Sequence, residues 1–273
     1  MTMRLGAWQI DSINNVDLFA LCDGLPDASV DMVLADLPYG TTACAWDTVI
    51  PFEPMWERFK RVIKPRGAIV LTASQPFTSA LVMSNPSWFR CEWVWEKDNG
   101  SNFLNLDMHP FKVHENVLVF SESAAAYYPQ MTGGTPYRAR AGTVFRPYLG
   151  AFEKGTVTVN NGERYPRSVV KVDAQRGKHP TQKPVALFEY LIRTYTREGE
   201  LVLDPTCGSG TTALAARNAK RHWICGDTDV HYCDVARDRL RLPFEARRVK
   251  ASDDVSDLPL FAPASDGADA AQA

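Results

Sequence analysis

The sequence holds no apolar run approaching the roughly 18 to 20 residues that a membrane-spanning helix needs. Its first ten residues, Met1 to Ile10, offer neither a basic leader nor an apolar export segment. A cytoplasmic protein with no membrane partner is therefore expected. The six cysteines (Cys22, Cys44, Cys91, Cys207, Cys225 and Cys233) form no C-x-x-C pair, and no histidine stands near them at metal-ligand spacing. That pattern argues against a zinc site and a disulfide framework, leaves reduced thiols, and predicts no metal. An overall positive excess is missing too: the net charge is -2, which by itself announces no nucleic-acid partner. No internal repeat is visible. What is present is an ordinary globular composition, 273 residues with 45% hydrophobic and 23% charged, enough for one large α/β core carrying an insertion.

The average charge hides a local one. From Arg138 to Arg193 eleven lysines and arginines stand against four acids, a local charge of +7, and local sign matters more to a partner than the total. Upstream, Val30 to Ala35 is a short apolar run ending at Asp36, and Ala68 to Thr72 is another, following the turn residues Pro65, Arg66 and Gly67. Both read as buried strands of a mostly parallel sheet. Between them Phe52, Met55, Trp56, Phe59, Val62 and Ile63 recur at helical spacing. The same grammar returns later. Leu201 to Leu203 run into Asp204, a helix rich in Ala and Thr follows, then a strand at Trp223 to Cys225 and a helix with Tyr232, Val235, Ala236 and Leu240 on one face.

Two strand-helix-strand halves predict an α/β fold with an open, doubly wound sheet. In such a sheet ligands sit beyond the carboxyl ends of the strands, where the winding direction switches. Asp36 and Asp204 both lie at strand ends of this kind. Glu92 to Lys97 and Val117 to Glu122 are expected as a pair of strands near the sheet edge. The organisation that follows is a first half over 1–126, an irregular or β-rich basic insertion over 127–177, a second half over 178–249 and a disordered tail over 250–273.

Two constellations carry chemistry. In Asp204-Pro-Thr-Cys-Gly-Ser-Gly-Thr-Thr212, placed where a strand turns into a helix, Gly208 and Gly210 permit a tight bend and a close ligand. No lysine precedes the Ser or Thr, as a P-loop would require, and Ala213 stands where a dinucleotide fingerprint would have its third glycine. A smaller nucleoside-containing ligand remains. Asp227, 19 residues past Gly208 at the end of the next strand, suits both ribose hydroxyls. The second constellation is Asp36-Leu-Pro-Tyr-Gly40: a carboxylate at a strand tip, an X-Pro step that keeps Leu37 extended, and an aromatic. For a flipped base, the Asp36 carboxylate and the Leu37 carbonyl can accept both hydrogens of an exocyclic amino group while Tyr39 stacks on the ring. A solvent turn is the bland alternative.

Asp36 to Tyr39 resembles the Asp-Pro-Pro-Tyr signature of the amino-methyltransferases of DNA, and Asp204 to Thr212 resembles their cofactor loop. His179-Pro-Thr-Gln-Lys-Pro184 matches a third family segment, Arg164 to Ser168 is similar to the element that precedes it, and Val113 to Phe120 resembles a family strand. The order, catalytic segment first and cofactor loop last, is that of the β group, and the resemblance covers roughly 8 to 241. It implies a Rossmann-like methyltransferase sheet with an antiparallel edge strand and an inserted DNA-recognition region. It also implies S-adenosylmethionine as cofactor. Asp204, Thr206, Gly208, Ser209, Gly210 and Thr211 would surround the methionine end and Asp227 the ribose. His179, Thr181, Gln182 and Lys183 would close over the cofactor, and Asp11 would lie near its adenine. Asp36, Leu37, Pro38 and Tyr39 would form the catalytic set. One departure is Leu37 in place of the first proline, where the expected contact comes from a backbone carbonyl that every residue has.

An aromatic amine is a poor nucleophile because its lone pair is delocalised. Two acceptors out of the ring plane favour a more pyramidal nitrogen, and the protein then supplies alignment and electrostatics. Cys44 invites a cytosine-C5 reading, against which Asp36 and Tyr39 argue. The expected activity is site-specific transfer to N6 of adenine in duplex DNA, with Arg138, Arg140, Arg146, Arg164, Arg167 and Arg176 as DNA contacts. Asp36 favours adenine, because the cytosine-N4 relatives usually place Ser there. Cytosine-N4 transfer is the nearest alternative; transfer to a protein amide or RNA, and a non-catalytic DNA-binding module, stand further off. A homodimer is compatible with the resemblance.

Overall fold

Val30, Met32, Val33, Leu34 and Ala35 are fully buried, so the strand they form needs cover on both faces, as in a parallel α/β sheet. The computed structural model describes residues 3–42, 44, 47–140, 145–146, 150–151, 157–175 and 181–241, with the backbone alone at 140, 145–146 and 150–151. Arg176, His179 and the tail at 250–273 lie outside the described residues, and of Arg140 and Arg146 only the backbone is described.

The central sheet has eight strands: β1 (Ser12–Asn15), β2 (Val30–Asp36), β3 (Ile63–Ala73), β4 (Phe89–Glu96), β5 (His114–Phe120), β6 (Val169–Lys171), β7 (Leu201–Asp204) and β8 (His222–Asp227). Their order is β6-β4-β5-β3-β2-β7-β8-β1. Only β5 runs against its neighbours; every other pairing is parallel. The antiparallel strand therefore lies third from the edge and not at it. The reason is β6, contributed by a stretch expected inside the insertion, which pairs outside β4 in parallel register with Val94 to Glu96.

Helices α1 (Leu18–Asp23), α2 (Phe52–Val62), α3 (Phe77–Ser84), α4 (Val185–Tyr195), α5 (Thr211–Asn218) and α6 (Val230–Arg241) accompany the strands. Of the six residues read as the apolar face, Met55, Trp56, Phe59 and Val62 are buried in α2, each side chain contributing roughly 1.5–3 kcal/mol by leaving water, while Phe52 is half-buried and Ile63 already opens β3. Pro65, Arg66 and Gly67, expected as a turn, lie inside β3. The register against β2 shifts there, between Val30 and Met32, so turn-like composition marks an irregularity in a strand and not its start.

Residues 129–166 form a second compact unit. Its described residues form three antiparallel pairs, Tyr137–Arg140 with Val157–Asn160, Thr132–Gly133 with Glu163–Arg164, and Phe145–Arg146 with Gly150–Ala151. Among the described residues no helix is long and apolar enough to cross a membrane.

Candidate active site

From β2 the chain winds to one side of the sheet through β3. From β7 it winds to the other through β8. The two strands are hydrogen-bonded neighbours, with Val202 beside Met32 and Leu203 beside Val33. The switch point therefore falls between them, and Asp36 and Asp204 emerge side by side from their carboxyl ends. The Thr206 hydroxyl ties the two tips together by donating to the backbone carbonyl of Asp36 at 3.1 Å.

At the first tip, Asp36 Oδ1 accepts from the Tyr39 hydroxyl at 2.8 Å and from the buried Thr72 hydroxyl at 2.5 Å. Its Oδ2 accepts from the Lys183 ammonium at 2.6 Å. Tyr39 stacks on Phe77, ring centroids 5.1 Å apart and planes 24° from parallel. Burial, with Asp36 beside it, pushes the Tyr39 hydroxyl well above its ordinary pKa, so it stays a donor to the carboxylate. Leu37 is buried, and Gly40 turns the chain at a φ of +68° where a Cβ would press on Val49. Asp47 anchors the next loop by accepting from the amides of Gly40, Thr41 and Thr42 at 2.8, 2.9 and 2.6 Å. Against the effect of burial, the Thr42 hydroxyl and these amides hold its carboxyl below the usual range.

At the second tip, Asp204 is almost wholly buried and accepts from the Thr206 amide at 3.0 Å and from the Thr212 hydroxyl. Burial pushes its pKa up to about 7, against the pull of those two donors. Gly208 and Gly210 both adopt positive φ, 47° and 80°. A Cβ on Gly210 would stand 2.6 Å from that of Ala236, so the turn into α5 packs too closely against α6 for any other residue. At the end of β8, Asp227 accepts from the Gly208 amide at 2.8 Å and the Asp229 amide at 2.9 Å. Each carboxylate oxygen keeps a lone pair for a ligand.

These tips border one cleft of about 1320 Å³. Asp36, Leu37, Pro38 and Tyr39 line it, as do Thr181, Gln182, Lys183, Asp204, Thr206, Gly208, Ser209, Thr211 and Asp227. Gly210 sits behind the lining as the N-cap of α5. Asp11 does not reach the cleft. Its carboxylate instead meets His222 Nδ1 at 3.1 Å and the Trp223 amide at 3.2 Å. The acid that does line the cleft nearby is Asp17, which caps α1 through the Ala20 amide at 2.8 Å. The N-cap pattern at Asn15-Val-Asp17 was the signal that distinguishes the two. Sequence reasoning also passed over Thr72, Lys97 and Glu115. They stand at or near the ends of β3, β4 and β5, and only the strand order brings Thr72 onto Asp36, Glu115 to the lysine that Asp36 holds, and Lys97 onto Glu115.

Of the arginines expected to meet DNA, Arg138 is exposed on its hairpin and Arg167 is exposed just before β6. Arg164 is committed within its own unit, donating to Asn160 and to the Thr135 carbonyl, with its guanidinium 5.0 Å from the Tyr137 ring centroid.

The DNA methylase family of N6/N4 type matches residues 30–238. The type II methyltransferase M2.DpnII of Streptococcus pneumoniae is 27% identical over 258 residues, 82% of this chain and 87% of its own. M.HpaI of Haemophilus parainfluenzae, also a type II methyltransferase, is 26% identical over 268 residues, 85% of this chain and 77% of its own. Among solved structures, the complex of M1.HpyAVI with S-adenosylmethionine superposes with a TM-score of 0.58 at 23% identity, covering 84% of this chain and 98% of that one. The cytosine-N4-specific PvuII DNA methyltransferase gives 0.61 at 15% identity, covering 94% and 92%. These superpositions establish a shared Rossmann-like methyltransferase fold. With three-quarters of its length in the family match, the chain belongs to the N6/N4 DNA methylase family, whose members are S-adenosylmethionine-dependent DNA methyltransferases.

Proposed function

We propose that this protein is a site-specific adenine methyltransferase of the cytoplasm, acting on N6 of an adenine flipped out of duplex DNA. The observation that carries the reading is Asp36: a carboxylate held at a strand tip by Tyr39 and Thr72, in the same cleft as Asp204, Gly208 and Asp227. The residues present fit S-adenosylmethionine. Asp227 offers carboxylate lone pairs to a ribose diol, Leu18 and Phe19 offer apolar surface to a base beside Asp17, and Asp36 and Asp204 make the intervening wall acidic. Thr181, Gln182 and Lys183 close the cleft from the other side, with Ser209 Oγ donating to Gln182 Oε1 at 3.4 Å. When bound, the cofactor supplies an activated methyl group on a cationic sulfur.

This chain's residues supply the rest. Asp36 Oδ2 and the Leu37 carbonyl accept the two amino hydrogens, which aims the nitrogen lone pair toward the cleft. The positive charge that develops on the nitrogen as it is methylated is stabilised by the Asp36 carboxylate. The Asp at the first position of the signature favours adenine over cytosine. Nucleoside analysis of DNA modified by the purified protein is expected to show N6-methyladenine; N4-methylcytosine as the sole product would replace adenine by cytosine in this reading.

Three further results are expected. Asp227→Ala weakens cofactor binding about 10- to 100-fold, the loss of hydrogen bonds to a charged acceptor; isothermal titration showing a change under threefold would take the ribose away from Asp227. Arg138→Ala weakens binding to all duplex sequences alike and reduces the slope of log affinity on log salt by about 1, the signature of one lost phosphate contact. Arg164→Ala should instead lower the thermal stability of its unit, since its guanidinium is already bonded there.

A further inference from the structure

Lys183 sits where the incoming amino group has to go. The residue is only 6% exposed, and its ammonium donates to Asp36 Oδ2 at 2.6 Å and lies over the Tyr39 ring, 5.5 Å from the centroid. Phe77 already stacks on that tyrosine, and the other carboxylate oxygen of Asp36 is taken by Tyr39 and Thr72. The lysine thus holds the acceptor that the proposed reaction assigns to the target base. A fixed ammonium there would also oppose the positive charge that builds on the target nitrogen during transfer, because like charges this close repel strongly in a water-poor cleft.

The structure provides a second seat for that cation. Glu115, at the start of β5, holds Lys97 with Oε1. Its Oε2 is buried and accepts no hydrogen bond among the described residues, and the Lys183 ammonium lies 3.4 Å away from it. That contact is the longer of the two ion pairs the ammonium makes, 3.4 Å against 2.6 Å to Asp36, so Glu115 already offers Lys183 a second carboxylate with room to close in. Burial alone would favour a neutral Lys183, but Asp36 and Glu115 together hold its pKa above the ordinary value. It is held charged between the two carboxylates.

We propose that Lys183 is a two-position cation: a placeholder on Asp36 in the resting protein, which moves to Glu115 when an amino group takes Asp36 Oδ2. Lys183 and Glu115 are then positioning residues. No proton is transferred; one ion pair is exchanged for another as a neutral donor enters. The proposal rests on the reading that Asp36 accepts the target amine.

Single-turnover methyl transfer to unmodified duplex DNA by the full chain tests it, with Asp36→Ala as the reference for that reading. With Glu115→Gln the ammonium has no second carboxylate, so transfer should slow about 10-fold or more while cofactor and DNA affinities stay within threefold. The discriminating variant is the double substitution Glu115→Gln with Lys183→Met. Removing the placeholder frees Asp36, so the double variant should transfer faster than Glu115→Gln alone; a merely structural role for the pair makes it equal or slower. Lys183→Met by itself leaves Asp36 and Glu115 facing each other among Tyr39, Lys97, Lys112 and Asp204. The acid limb of its pH–rate profile should rise by a unit or more, since Asp36 and Glu115 lose the cation they share, with Lys97 left on Glu115 alone, and neighbouring carboxylates disfavour each other's ionisation. A Glu115→Gln rate within threefold of wild type, or a double variant no faster than Glu115→Gln, overturns the proposal. If thermal melts show Glu115→Gln unfolded, an unshifted acid limb in Lys183→Met overturns it. An active Asp36→Ala would instead overturn the reading beneath it.

Discussion

Asp36→Ala is expected to lower single-turnover methyl transfer about 1000-fold, the upper range for removing one preorganised electrostatic contact to the reacting group. S-adenosylmethionine affinity should stay within a few-fold of wild type. The asymmetry follows from what Asp36 touches. Its side chain meets Tyr39, Thr72 and Lys183, while its link to the cofactor loop is the backbone carbonyl that accepts from Thr206. Alanine keeps that carbonyl. The site loses its acceptor for the target amine and the negative charge that opposes the developing positive one, and Tyr39 loses the bond that orients its ring. Rapid-quench transfer of labelled methyl, paired with calorimetric titration of the cofactor, separates the two effects. Transfer above a tenth of the wild-type rate would remove Asp36 from the chemistry.

The second large effect concerns stability. Asp204→Asn should stabilise the cofactor-free protein at pH 8 and leave it little changed at pH 4. Burial lifts the Asp204 carboxyl from its ordinary 3.8 to about 7. Between those values the folded chain holds a proton that the unfolded chain has released, so this group's contribution to stability falls as pH rises through the window and is lowest above 7. The full shift corresponds to roughly 4 kcal/mol, on the order of 10 °C in the melting temperature of a domain this size. Asparagine imitates the protonated acid: its oxygen can accept from the Thr206 amide, and its NH2 can donate to the Thr212 hydroxyl. The measurement is the difference in melting temperature between variant and wild type from pH 4 to 8. A flat difference would mean that Asp204 is ionised throughout, and the acid would then be a fixed charge of the cofactor loop.

Both carboxylates were visible as strand-end residues, and the reason is local. Val30–Ala35 and Leu201–Leu203 are too apolar and too short to be anything but buried strands, and each is followed at once by an acid and a proline within two residues. The α2 face was legible for the same reason, since burial of Met55, Trp56, Phe59 and Val62 follows from spacing alone. The exclusion of a P-loop also needed only the missing lysine. Asp11 and Asp17 mark where that kind of reading stops. Both are acids in the stretch ahead of β2, but Asp11 turns back to His222 and Trp223 while Asp17 caps α1 at the cleft.

By itself, then, the sequence determined the elements, the two acidic tips and the glycine turn, because strand burial, backbone freedom and motif spacing act over a few residues. Only the tertiary structure decided who meets whom. It seats β2 beside β7 and brings Asp36 to Thr206, 170 positions away. It places β5 third from the edge, so that Glu115 faces a lysine from before α4, and sends 169–171 into the main sheet. Such pairings depend on which strand wins each neighbour through hydrogen bonding and burial over the whole sheet, a competition that no local window contains.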